Sequence, residues 1–225
     1  MSKRMQEAKG LIEADKTYTI DEAIGLAKKT STVKFDASIE LHINLGINPS
    51  KTDQLVRGTI SLPHMAGKTK RVVAFVEADK EDAAKKAGAD IIGGEELIGQ
   101  IIQTGKIDFD IAVATPSMMP KIAKAAKVLG PKGLMPNPKT DTVSDDIEKI
   151  IKEQKAGKAS FRNDNGGNIH QMIGKVSQAD AEVKANFQAF MGAINKAKPS
   201  TAKGIYLKGA YLTTSMGPSI KVEIE

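Results

Sequence analysis

Ser38-Ile39-Glu40-Leu41-His42-Ile43-Asn44-Leu45 alternates without a break, with Ile39, Leu41, Ile43 and Leu45 on one side of an extended chain and Ser38, Glu40, His42 and Asn44 on the other. Successive side chains of a strand point to opposite faces, so this stretch is a strand with one apolar face and one wet face. Outward from it, Val56, Gly58, Ile60 and Leu62 alternate with Arg57, Thr59 and Ser61, and Ile220, Val222 and Ile224 alternate with Ser219, Lys221 and Glu223. Asn163-Asp164-Asn165-Gly166-Gly167 is rich in residues that tolerate positive φ and predicts a turn joining a strand over 159–162 to one over 168–173. Two amphipathic helices are available to cover the apolar side: 19–29, where Thr19 and Glu22 form a capping box, and 178–196. The two ends of the chain therefore read as one α+β domain.

The middle third has a different rhythm. Short apolar runs at 71–76, at Ile91 and Ile92, and at 111–114 alternate with helical stretches at 79–87, 95–104, 117–129 and 144–155. Gly88, Gly105 and Gly157 stop three of these helices, and Ser117 is a plausible cap for the helix it opens. Strands separated by helices imply a layered, parallel α/β (Rossmann-like) unit. If the ends share a sheet, this unit is an insertion reached by two crossings, near 63–68 and 156–158. The expected organisation is then a discontinuous domain, 1–67 plus 158–225, and an inserted domain, 68–157, joined so that one can rotate against the other.

The 225 residues carry 40% hydrophobic and 27% charged residues, as folded globular chains do. With no Cys, disulfides, zinc–thiolate sites and cysteine nucleophiles are excluded together. The opening residues lack an apolar signal core, and the longest uncharged run is 209–220, too short and too polar to span a bilayer, so neither secretion nor a membrane partner is expected. The net charge is +6. Residues 68–156 hold 15 cations against 14 anions and the remainder 18 against 13, which puts the excess in the outer domain. By strand parity Arg57, Lys158, Arg162 and Lys221 leave the apolar face together with Ser38, Thr59, Ser61, Ser160, Ser219, His42 and His170. Such a face suits phosphate and ribose, and it equally suits simple solvation.

Enzyme signatures mostly fail. His42, His64 and His170 stand isolated in the sequence, without metal spacing or a nucleophile elbow. Glu95-Glu96 and Asp145-Asp146-x-Glu148 fall in the opening turns of predicted helices, where the helix dipole favours them. Gly67-Lys68-Thr69 lacks the first glycine of a phosphate loop, since position 62 is Leu, and no Gly-x-Gly-x-x-Gly follows the middle strands. Gly130 to Lys139, with three prolines, is a rigid basic connector whose Gly-x-x-Gly lacks the setting of a KH clamp. Thr213-Thr214-Ser215-Met216-Gly217-Pro218-Ser219 offers three adjacent hydroxyls, a methionine and a glycine between two strands. It is either a hydroxyl-rich hairpin turn or an edge that reads ribose 2′-OH groups.

Several segments in order resemble one family, the L-one proteins of the large ribosomal subunit, bacterial type. They are Lys34-Phe35-Asp36, Val56-Arg57-Gly58-Thr59 with Leu62-Pro63-His64, Ala87-Gly88-Ala89-Asp90 with Gly93-Gly94, Ala114-Thr115-Pro116, 129–138, Phe161-Arg162-Asn163-Asp164 and 213–218, and they cover nearly the whole chain. The resemblance implies a two-domain, non-catalytic, cytoplasmic protein without cofactor or metal, monomeric when free. It would bind the mobile stalk of the large-subunit rRNA beside the tRNA exit site, touch exit-site tRNA transiently, and repress translation of its own operon mRNA. The discontinuous domain would be the main RNA-binding unit. Carried over segment by segment, its RNA surface would comprise Lys34, Phe35, Asp36, Ser38 and Glu40; Asp164, Asn165 and His170; and Thr214, Ser215, Met216 and Gly217. Family members often have Thr at the place of Ser215 and a basic residue at that of Asn165. Phe35 has core parity on its strand, so as an RNA platform it requires the strand to begin after Asp36. The rival readings are a nucleotide-binding enzyme using the middle domain and a free DNA-binding regulator.

Overall fold

The computed structural model describes residues 3–13, 16–64 and 70–224. In chain order its elements are α1 (Lys3–Gly10), α2 (Ile20–Thr30), β1 (Ser38–Leu45), β2 (Arg57–Ser61), β3 (Val72–Phe75), α3 (Glu81–Lys86), β4 (Ile91–Gly93), α4 (Glu95–Thr104) and β5 (Ile111–Ala114). They continue with α5 (Met119–Ile122), α6 (Ala126–Leu129), α7 (Ile147–Lys155), β6 (Lys158–Arg162), β7 (Asn168–Lys175), α8 (Asp180–Lys196), β8 (Leu207–Thr214) and β9 (Ile220–Val222). The chain divides into two compact units, Met1–Gly67 with Ser160–Glu225 and Lys68–Ala159.

The outer unit is built on a four-stranded antiparallel sheet of order β7-β1-β8-β9. β1 shows why this sheet has one dry side: Ile39, Leu41, Ile43 and Leu45 are buried, while Ser38, Glu40, His42 and Asn44 are not. Their dry face packs on α2 and α8 through Ala23, Ile24, Ala27, Val183, Phe187, Phe190 and Ile194. α2 begins where the sequence says it should, because the Thr19 hydroxyl accepts from the Glu22 N–H and the Glu22 carboxylate from the Thr19 N–H. Both chain ends close on this sheet. The Tyr18 N–H donates to the Lys221 carbonyl at 3.0 Å and the Glu223 N–H to Tyr18 at 2.9 Å, a parallel bridge along the β9 edge.

The inserted unit has a three-stranded parallel sheet, β4-β3-β5, whose central strand is buried along its length. Val72, Ala74 and Val76 face α3 and α7, and Val73 and Phe75 face α4 and the 118–129 segment, so both sides are covered. Gly88 and Gly105, at φ 89° and 63°, end their helices in the left-handed region as expected.

Four sequence expectations are corrected. Residues 117–129 are not one helix capped by Ser117: a 3-10 turn at Pro116–Met118, α5, a second 3-10 turn and α6 follow in series. The Met119 N–H donates to the Pro116 carbonyl three residues back, a 3-10 pattern, and Pro120 in the first turn of α5 brings no N–H of its own to the ladder. The predicted helix over 144–155 starts three residues later, capped by Asp146, whose carboxylate accepts from the Lys149 N–H at 3.2 Å. The Asn163–Gly167 turn does not join two partners of a hairpin. β6 pairs with β2 in a separate two-stranded sheet and β7 pairs with β1, leaving a single antiparallel bridge between Asn163 and Ile169. The fourth is Lys158, which leaves no cation on the wet face: it is buried, with its ammonium 2.8 Å from Glu153 and 3.1 Å from Asp141. Burial works against that charge, but the two carboxylates outweigh it and raise the Lys158 pKa above the ordinary lysine value. The Gly67-Lys68-Thr69 motif and the crossing beyond His64 lie outside the described residues.

Candidate nucleic-acid interface

The wet face of the β7-β1-β8-β9 sheet ends, at the start of β1, in two segments far apart in sequence. Ser38 and Ser215 lock them together: the Ser38 N–H donates to Ser215 Oγ and the Ser215 N–H to the Ser38 carbonyl, each at 3.1 Å. Because β1 starts at Ser38, Phe35 precedes the strand and is 55% exposed, so it is a surface ring and not a core plug. Met216, in the turn between β8 and β9, is 54% exposed. Its carbonyl accepts from the Arg4 guanidinium at 3.2 Å, a cation that sequence reasoning missed because nothing in the pattern of α1 ties it to residue 216. Lys34 and Ser215 are exposed, and Ser38 and Glu40 are half-buried on the same face.

Asp36 is turned back on the protein. Its carboxylate accepts from the Ser177 N–H (3.1 Å) and hydroxyl (2.9 Å) and lies 3.3 Å from the Lys175 ammonium. Desolvation opposes its charge, yet the Ser177 hydrogen bonds and Lys175 outweigh that and keep its pKa below the ordinary value. Asp36 thereby fixes the Phe35 segment rather than offering a free acceptor. Thr214 also departs from expectation. It alternates inward from Thr213, is 3% exposed, and lies beneath the turn, so its side chain is removed from the exposed surface. Gly217 is required there: a Cβ at this position would run into Thr214 Oγ1. The Gly217 N–H donates to the Thr214 carbonyl at 2.9 Å, closing the turn that presents Ser215 and Met216.

A second cluster sits at the β7 side. The Asp164 carboxylate accepts from the Asn168 N–H (2.7 Å), the Gly166 N–H (2.8 Å) and the Asn168 side chain (3.3 Å), and lies 3.3 Å from His170 Nε2. Chiefly through the Asn168 backbone bond, its pKa falls to about 2. Asn165 stands exposed at the tip of this turn. The histidines are not isolated in space. His42 and His170 face each other across β1 and β7, with Nδ1 atoms 2.7 Å apart and ring centroids at 4.9 Å. Burial first, then the like charge of His170, lowers the pKa of His42, against an opposing pull from Glu40. Arg57 and Arg162 are exposed but belong to the β2–β6 sheet, which leaves Lys221 as the cation on the wet face among those singled out by parity.

In the inserted unit, the place where open parallel sheets hold nucleotides is the crevice at the strand C-termini. It is a recess of about 560 Å³ lined by Glu77, Glu81, Glu95 and Glu96. Its lysine, Lys121, is already held by Glu95 at 2.6 Å. Four carboxylates repel a phosphate chain, so this crevice does not suit a nucleotide. Among the described residues no group of side chains is arranged to hold a metal ion, and no helix is long and apolar enough to cross a membrane.

Comparison with known proteins places these features in one lineage. The family model described as the ribosomal protein L1p/L10e family matches residues 27–218. The large ribosomal subunit protein uL1 of Mesoplasma florum is 50% identical over 224 residues, an alignment covering 100% of this chain and 98% of that protein.

Proposed function

We infer the role of this chain from its kinship and its open sheet: it belongs to the ribosomal protein L1p/L10e family, and we propose that it is a cytoplasmic large-subunit protein whose outer unit binds rRNA. The target is the mobile stalk near the tRNA exit site. The observation that carries this reading is the Ser38–Ser215 lock, which holds two surface side chains, Phe35 and Met216, at one end of a sheet left uncovered by helices. An exposed ring and an exposed thioether beside hydroxyls and a closed glycine turn match what folded RNA offers, namely base and sugar faces and 2′-OH groups. Lys34, Arg4 and Lys221 supply the charge that speeds encounter and makes affinity fall with salt.

The contacts fall to Lys34, Phe35, Ser38, Glu40, Asn165, His170, Ser215 and Met216. Asp36, Asp164, Thr214 and Gly217 shape the surface from within. The role is one of binding, without catalysis. The same surface, presented to a stalk-like structure in the operon mRNA, would make the protein a repressor of its own synthesis, with rRNA competing for it. The free protein is taken to be a monomer. Its two units, near 1–67 with 158–225 and 68–157, are independent domains in this reading, so that rotation at the crossings lets one follow the stalk or meet exit-site tRNA while the other holds on.

Filter binding tests this directly. The full chain should retain a stalk rRNA fragment far better than duplex DNA of equal length at matched salt, and Met216→Ala should weaken retention with an unchanged melting temperature. Equal binding of the two nucleic acids would replace the reading with that of a DNA-binding regulator.

A further inference from the structure

The register of the outer sheet places four side chains in one line across all of its strands. His170 on β7 pairs with His42 on β1, His42 with Tyr211 on β8, and Tyr211 with Lys221 on β9. Directly opposed residues share a face, so the row lies together on the wet side. Tyr211 is 37% exposed, whereas Tyr18 and Tyr206 are buried. Two residues earlier on the same face stands Gly209, and a Cβ built there would meet Tyr211 Cε2, OH and Cζ at 3.2, 3.5 and 3.6 Å. The tip of the ring therefore reaches over the glycine, and the side chain remains open to solvent on this face. A larger residue at 209 would press on it.

The neighbours favour an anionic aromatic ligand. The face does carry carboxylates, but Asp164 is committed to the Gly166 and Asn168 N–H groups, and Glu40 is on β1, with β8 between it and Lys221. Lys221 is exposed and has no ion-pair partner among the described residues. A flat ring beside a free ammonium meets the two needs of an unpaired nucleotide, stacking for the base and a counter-charge for its phosphate.

We propose that the row His170–His42–Tyr211–Lys221 is a stacking platform for an unpaired RNA base, with Tyr211 under the base and Lys221 on the adjoining phosphate. It rests on the RNA-binding reading above and extends that surface from the Phe35–Met216 end onto the open middle of the sheet.

The chain has three tyrosines and no tryptophan, so its emission reports on tyrosine alone, and Tyr211 is the exposed one. Titrating the full chain with decaadenylate, and with a stalk rRNA fragment, should quench that emission. Tyr211→Ala should remove the quenching and weaken binding of labelled decaadenylate about tenfold, while Tyr211→Phe removes the quenching and keeps the affinity within about twofold. Lys221→Gln should lower the slope of log affinity against log salt by about one phosphate contact. Melting temperatures should stay level in all three variants. Undiminished decaadenylate binding by Tyr211→Ala, with Met216→Ala still weakening the stalk fragment, would overturn the platform and leave the RNA-binding reading standing. A wild-type chain that binds neither RNA would overturn both. Loss of binding that tracks a fall in melting temperature, or an equal loss in Tyr211→Phe, would mark Tyr211 as structural and end the proposal.

Discussion

The two larger sheets of this molecule meet water on opposite terms. The parallel sheet of the inserted unit has helices on both sides, so Val72 to Phe75 are buried residue after residue and no flat surface is left. The antiparallel sheet of the outer unit has helices on one side only, and every second residue of β1 is free to meet a ligand. A crossover helix needs a face to run over, whereas a strand that turns back on its neighbour does not, so topology alone decides which unit can present a sheet to RNA.

Adjacent residues of β1 give the sharpest way to break this contrast. Ile43→Ala removes a fully buried side chain and should cost about 2–5 kcal/mol in urea unfolding, whereas Asn44→Ala, next to it on the wet face, should stay within about 1 kcal/mol. Comparable losses at both positions would mean that the face is packed and not open. Next in size, Met216→Ala should weaken stalk RNA about tenfold in filter binding, roughly 1.4 kcal/mol, with no matching change in melting temperature. Gly217→Val is not its equivalent, because the new Cβ collides with Thr214 and the turn itself must move. Thr19→Ala should cost about 1 kcal/mol in thermal unfolding by undoing the capping box that anchors α2 beneath the sheet.

The smallest effects concern pH. Asp164 titrates at about 2 in the fold against an ordinary 3.8, so its contribution to stability is present above about pH 4 and is lost as pH falls towards 2. Asp164→Ala should flatten that part of an acid unfolding curve. His42 is also depressed from an ordinary 6.5, so the fold prefers it neutral and its contribution is present above that value and declines as pH falls below it. His42→Gln should therefore reduce the slope of stability against pH just below 6.5.

How much of this was legible beforehand depends on whether a feature is local. The bounds of β1, α4 and β5 follow from periodicity and from Gly105, and the start of α2 from the Thr19–Glu22 spacing, because burial and capping act within a few residues. Pairing is not local. Asn163 to Gly167 carries the residues of a hairpin turn, yet β6 and β7 go to different partners, since Phe161 and Ile169 each reach the core from a different sheet. Alternation assigned His42 and His170 to faces but could not set them opposite each other across 128 residues of chain. The same limit hid the row that ends at Lys221, and it concealed that Lys158, a cation by composition, is spent on Glu153 and Asp141. Phe35 was readable only through where its strand begins.

The bridge from Tyr18 to Val222 has a consequence for biosynthesis. Translation runs from the N-terminus, so the inserted unit, one unbroken stretch of chain, is complete before β7, α8, β8 and β9 have been made. α2 and β1 must wait through all of that elongation with their apolar sides uncovered. The surface proposed for RNA is thus the last part of the molecule to mature, and a nascent copy completes it only once synthesis has passed β9.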